Sequence, residues 1–165
     1  YERQGWATDF MHYGTPAERV AKSIPANRRI LLIHNVKATK EDIATIEQHF
    51  TNGVYWVLCP ESNRFISRTE PPVETLRNAG VKIAIGTDSL ASARHLSMVE
   101  NMRLLGDIPL DELLIWATRN GAEALGLEAS LGDIRVGTSP GIVVIEGADL
   151  QNMRVTDQTR SRRII

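Results

Sequence analysis

Apolar and polar positions along this chain alternate between two periods in a regular order. In "RRILLIHN", Ile30 to Ile33 form an unbroken apolar run, the mark of a strand covered on both faces. "TKEDIATIEQHF" then sets Ile43, Ile46 and Phe50 on one helical face. Thr39 is its cap, Asp42 stands at the capping-box position and Asn52-Gly53 stops it. The alternation repeats: "VYWVLCP" (54–60) predicts a second strand, and "PPVETLRNAG" (71–80) a helix opened by proline and closed by glycine. "VKIAIGTDS" (81–89) predicts a third strand, and "LSMVENMRLL" (96–105) a helix with Val99 and Met102 inward. Upstream, "TPAERVAKS" is a short helix with Thr15 as cap and Pro16 in its first turn, closed by Pro25.

The strands start near residues 29, 54 and 81, so the repeat is 25 to 27 residues, close to the ~30 of a βαβ unit. Strand alternating with helix, without a two-residue hairpin signal, predicts a parallel sheet. The pattern then changes. "PLDELLIWATRNGAEALG" (109–126) predicts two short helices broken near Asn120-Gly121. "LGDIRVG", "GIVVIEG" and "MRVTDQT" predict short strands of a small appended β element. Arg160, Arg162 and Arg163 at the end fit an edge strand with solvated charges better than a phosphate site.

Composition narrows the function classes. The 165 residues suffice for one ordinary core. Lys plus Arg total 19 against 20 Asp plus Glu, a balance that argues against nucleic-acid or membrane-surface partners. The lone Cys59 fits a reducing, cytoplasmic setting. The chain opens on Tyr1, which suggests a piece of a longer protein.

Candidate chemistry gathers at the ends of the three strands: His34-Asn35, Cys59-Pro60-Glu61-Ser62-Asn63, and Asp88-Ser89. In a parallel sheet these ends share one edge, where α/β folds place their sites. His34 and Asp88 can therefore converge although 54 positions separate them. A strand-end Asp is as often a helix cap, and a strand-end His a satisfied polar group, so position alone decides neither. His12, His49 and His95 read as surface, with His95 the one that could reach the same edge. Cys59 reads as a small buried hydrophobe, since no neighbouring base lowers its pKa. Trp56 and Trp116 read as core.

Taken in order, "LLIHN", "CPESN", "IAIGTDSLAS", "WATRNGAEALG" and "LGDIRVGTSPGIVVIEG" resemble the C-terminal half of amidohydrolase-superfamily enzymes, over about residues 29–147. The branch resembled is the aminohydrolase/chlorohydrolase group of cytosine, guanine and adenosylhomocysteine deaminases and triazine hydrolases. The resemblance implies an α/β fold. It would be the C-terminal part of a metal-dependent (β/α)8 barrel, about three βα units in residues 1–127, followed by β-sandwich strands in 128–165. By the same resemblance, His34 ends barrel strand six and contacts the bound water or substrate. Asp88 ends strand eight, ligates a divalent metal (zinc first, iron second) and shuttles the proton of the hydrolytic water.

Relatives often carry a His before the Cys-Pro, where this chain has Leu58, a difference that bears on substrate rather than reaction type. They often read Ala-Asp where this chain has Pro140-Gly141, a minor structural change. The family's His-x-His and its strand-five His have no counterpart here, and a full barrel needs ~250 residues. The expectation is thus a fragment of a hydrolase acting on C–N or C–Cl bonds of a small heterocyclic substrate. Alone it would be inactive and without metal, its unpaired first strand driving homo-oligomerisation. The alternative is a non-catalytic half-barrel that binds or assembles. A different doubly wound hydrolase ranks third.

Overall fold

The computed structural model describes residues 2–6 and 14–164, so His12 lies outside the described residues. Three short strands, β1 (Ile30–Ile33), β2 (Val54–Leu58) and β3 (Ile83–Ile85), form a parallel sheet in the order β1-β2-β3. Ile30 lies opposite Val54, and Trp56 opposite Ile83, so all three strands run the same way and end on one rim. Helices return the chain between them: α1 (Pro16–Ser23) before β1, α2 (Lys40–His49) after it, α3 (Pro60–Ile66) and α4 (Val73–Asn78) after β2, and α5 (Met98–Leu104), α6 (Leu110–Ala117) and α7 (Arg119–Leu125) after β3.

The local signals act as their chemistry requires. Thr15 with Glu18, and Thr39 with Asp42, close complete capping boxes on α1 and α2. Ile43, Ile46, Trp56, Leu58, Leu76, Ile83, Met102, Leu113 and Trp116 join in one core beneath the sheet. Trp56 is 1% exposed, with its indole N–H donating to Glu47 Oε1 at 2.8 Å. On the outer side of β3, Asn120 Nδ2 donates to the Ile83 carbonyl at 2.7 Å and satisfies a backbone group that a further strand would otherwise take. β1 has no strand on its outer side among the described residues, and it is not covered on both faces as its apolar run predicts: Leu31 and Ile33, on one face of the sheet, are 36% and 53% exposed.

Several sequence expectations need correction. The 54–60 run ends as a strand at Leu58, because Pro60 opens α3 directly. The break in 109–126 falls at Thr118, between α6 and α7, and Gly121 lies inside α7. His49 is half-buried rather than on the surface: its Nε2 donates to the Ile24 carbonyl at 2.9 Å and ties α2 to the end of α1. Of the three β-like pieces after residue 131, only "GIVVIEG" forms a strand, β4 (Val143–Glu146), antiparallel to β5 (Arg160–Arg163). "LGDIRVG" is a looped segment held by the Arg119–Asp133 ion pair at 3.0 Å, with Ile134 and Val136 in solvent. "MRVTDQT" contributes an isolated bridge, Asp149 to Arg154, and then a turn. β-propensity without a partner strand did not suffice at either place.

Candidate active site at the rim of the parallel sheet

All three strand ends depart from regular extended backbone, each in a way that serves the rim. After β1, His34 and Asn35 take left-handed φ values of 73° and 52°, a region open at modest cost to His and Asn among non-glycine residues. The His34 amide still donates to the Val57 carbonyl at 2.9 Å, so the residue is anchored to the sheet as the chain turns away. After β3 the Gly86 amide donates to the Leu58 carbonyl at 2.8 Å, and Asp88 takes φ 59°. A Cβ at Gly86 would stand 3.3 Å from both Cys59 Sγ and Val57 Cγ1, so the close approach of β3 to β2 favours glycine there.

After β2 the helix starts at once, with Cys59 at the cap and Pro60 in the first turn. That places Ser62 and Asn63 under the rim, 0% and 2% exposed. Ser62 Oγ donates to Asp88 Oδ2 at 2.6 Å, and Ser92 Oγ donates to the same oxygen at 2.9 Å. His34 Nδ1 lies 2.9 Å from Asn63 Oδ1, and His34 Nε2 lies 3.8 Å from Asp88 Oδ2. Thus His34 and Asp88, which the sequence put on one edge, face each other across 3.8 Å, with 40% and 29% of their side-chain surface open to solvent.

The electrostatics follow from these contacts. The Ser62 hydroxyl, then the Ser92 hydroxyl, with His34 adding a smaller part, hold the Asp88 carboxyl below the ordinary carboxylate range against the opposing effect of burial. Asp88 is therefore an anion at neutral pH. Burial first, and the charge of Asp88 second, push the Cys59 thiol up to about 11, so it is a neutral packing group and no nucleophile. Leu58 lies wholly in the core beneath the rim, where it adds apolar packing. His95 lines an open cavity of about 920 Å³ between α3, α5 and the loop after Asp88, together with Glu61, Arg94 and Ser92, whose hydroxyl reaches Asp88. Trp56 and Trp116 are core residues.

Ser62 and Asn63 belong to the polar end of β2 named from the sequence, without a role of their own, and Ser92 was not named. The available signals were the proline straight after a strand, which starts a helix under the rim, and the serine four residues beyond Asp88.

One acid, one imidazole and two serine hydroxyls thus gather on the carboxyl-end rim of a parallel sheet, the edge on which α/β folds place their sites. The comparisons with known proteins give the family. The model of the amidohydrolase family matches residues 2–165, and the chain belongs to that family. The 5-methylthioadenosine/S-adenosylhomocysteine deaminase of Moorella thermoacetica is 34% identical over 146 residues, which cover 81% of this chain and 33% of the relative. Among solved structures, a zinc-bound adenosine deaminase from Xanthomonas campestris superposes with a TM-score of 0.64 at 30% identity, covering 73% of this chain and 29% of that one. A triazine hydrolase from Arthrobacter aurescens gives 0.70 at 25% identity, covering 82% and 32%. These neighbours are of the barrel type, and the chain spans about a third of the length of the relatives it matches.

Proposed function

We propose that this chain supplies the strand-six to strand-eight rim of a deaminase-type amidohydrolase, which releases ammonia or another leaving group from a small, aminated heterocycle. The observation that carries the reading is the 3.8 Å approach of His34 Nε2 to Asp88 Oδ2 on one rim, in a chain whose relatives are deaminases and a triazine hydrolase. Residues 1–127 would be barrel and 128–165 sandwich strands.

A divalent metal fits this site only as a shared ligand set. A catalytic zinc takes about three protein ligands plus water, and among the described residues no group of three or more His, Cys, Asp or Glu side chains could hold one. Asp88 would be this chain's ligand, its anionic state secured by the serines, and the remaining ligands would come from further segments of a full-length barrel. The chemistry a metal supplies in such a centre is a lowered pKa for water and a polarised substrate.

The chain's own residues do the rest. Asp88 accepts the proton that the attacking water loses and returns it to the departing nitrogen. His34 holds the attacking oxygen or the substrate through Nε2, the atom that faces Asp88. The carbon–oxygen bond forms first and makes the ring carbon tetrahedral; the carbon–nitrogen bond then breaks, and ammonia leaves with the proton that Asp88 returns. No helix among the described residues is long and apolar enough to cross a membrane. The free edge of β1, with Leu31 and Ile33 exposed, supports self-association of the isolated chain.

The test is a comparison of the 165-residue chain with the protein of full family length that contains it. The longer protein should release ammonia from aminated heterocycles and carry about one zinc or iron. Asp88→Asn and His34→Gln should each lower its turnover, by roughly 10³-fold or more for the acid and 10²-fold for the imidazole. The short chain should bind essentially no metal and show no turnover. Stoichiometric metal and turnover in the short chain, or an unimpaired Asp88→Asn enzyme, would reject the reading.

A further inference from the structure

Asn63 is 2% exposed, in a place where an apolar side chain would pack without a polar penalty. Among the described residues its carboxamide makes one side-chain hydrogen bond, between Oδ1 and His34 Nδ1 at 2.9 Å, and its Nδ2 is buried without a partner. A buried amide with an unsatisfied donor is costly. The bond that the oxygen makes is what offsets that cost.

We infer that Asn63 is a positioning residue that fixes the tautomer of His34, with the proton on Nδ1 and the lone pair of Nε2 presented to the rim. A carboxamide oxygen can only accept, so Nδ1 must donate to it, and in a neutral imidazole the other nitrogen is then an acceptor. Free imidazole side chains favour the opposite form, with Nε2 protonated. That form would leave Nδ1 and Oδ1 as two lone pairs 2.9 Å apart.

The consequence lies on the far side of the ring. Nε2 and Asp88 Oδ2, 3.8 Å apart, are both acceptors in this arrangement. The gap between them therefore suits a donor, such as the O–H of a water or an N–H of a bound ring, rather than direct contact. A neutral amide sets this polarity without adding a second negative charge beside Asp88, as a carboxylate at position 63 would. The placement is local. Pro60 opens α3 in its first turn, and the Asn63 backbone N–H donates to the Cys59 carbonyl at 2.9 Å, which seats the fourth residue of that helix under the end of β1. The catalytic meaning rests on the function proposed above, whereas the tautomer itself does not.

The test is nitrogen-15 NMR of histidine-labelled 165-residue chain at mildly alkaline pH, with long-range proton–nitrogen correlations to tell the protonated nitrogen from the unprotonated one. The His34 signals are assigned by their loss in His34→Gln. The expected result is a pyrrole-type Nδ1 and a pyridine-type Nε2 in the wild-type chain. The ratio of that form to the other should stand roughly tenfold above the ratio in a free histidine side chain, the factor that one ordinary hydrogen bond supplies. Asn63→Leu should return His34 to the mixture of a free side chain, and Asn63→Asp, which keeps an acceptor oxygen, should preserve the Nδ1–H form. A wild-type spectrum with Nε2 protonated, or with both nitrogens averaged, overturns the inference even if the leucine variant fails to fold. Because no turnover is read, failure here and failure of the proposed reaction are separate results.

Discussion

The parallel sheet and the C-terminal strand pair are both short β structures, and they are held by opposite means. In β2 four of five residues are buried, and Trp56, Leu58 and Ile83 of the sheet are closed off from water. In β5 all four residues are exposed. Order near β5 comes instead from polar contacts. Arg103 of α5 donates to the Thr156 and Thr159 carbonyls, both at 3.0 Å, and pairs with Glu100. The buried Thr159 hydroxyl donates to the Gly147 carbonyl at 3.2 Å, and the Thr156 amide donates to Thr159 Oγ1 at 2.8 Å. Gly147 has φ 72°, and a Cβ there would stand 2.5 Å from the Gln158 carbonyl oxygen, so the turn requires glycine. The difference teaches where order comes from. The sheet is set by apolar area, and the strand pair by a few side-chain hydrogen bonds to backbone.

The contrast can be broken most strongly from the core. Trp56→Ala should lower unfolding free energy by about 3–5 kcal/mol, the usual cost of emptying a large aromatic site, as read from urea denaturation. It should unfold both regions together, because the polar contacts of the strand pair need α5 in place. Arg103→Met should cost less, about 1.5–3 kcal/mol, the range for hydrogen bonds made by a charged group. Its signature is regional: amides around residues 156–163 should exchange faster with solvent, and those of β2 should not. Equal acceleration in both regions would show that the strand pair is no separate layer of stability.

This contrast also explains what the sequence made legible. β2 and β3 were readable because burial on both faces writes continuous apolar runs, and β1 writes the same run although its Leu31 and Ile33 face solvent here; α2 was readable because its cap and its inner Ile43 and Ile46 are both periodic marks. The convergence of His34 and Asp88 was readable from topology alone, since parallel strands share a rim. The contacts of Ser62 and Asn63 with that pair were not, because a step of one residue from strand to helix carries no periodic mark. The β-like residues of "LGDIRVG" misled for the same reason in reverse. Val136 and Ile134 have strand chemistry but find no strand to pair with, and Gly132 and Gly137 turn the chain instead, at φ 91° and 89°. The Arg103 contacts to Thr156 and Thr159 span 53 and 56 positions and leave no trace in local pattern.

A smaller effect is expected at the rim, where the two modes meet. Ser62→Ala removes a hydroxyl that donates to an ionised carboxylate, at a cost of about 1–2 kcal/mol at neutral pH. The sign with pH follows from the lowered Asp88 pKa. The native value lies below the unfolded one, near 3.9, so this stabilisation is fully present above the unfolded pKa and is lost as pH falls through the native one. Urea midpoints of wild type and Ser62→Ala should therefore differ at pH 7 and draw together as the pH falls below the unfolded value, through the lower native one. A gap that stays constant across that range would mean that Ser62 stabilises through packing and not through the charge of Asp88.

The smallest effect belongs to the most charged stretch. β5 reads Arg-Ser-Arg-Arg, and Arg162 lies 3.6 Å from Glu146 across the strand pair. Both side chains are about two-thirds exposed, so solvent screens the attraction and ordering two long side chains offsets much of the rest. Arg162→Ala should change unfolding free energy by under about 0.5 kcal/mol and leave exchange in β4 as it was. The backbone ladder from Val143 opposite Arg163 to Glu146 opposite Arg160 does not depend on that pair. A loss as large as that of Arg103→Met would show that charge across the strands, rather than the bonds from α5, holds the C-terminal pair in place.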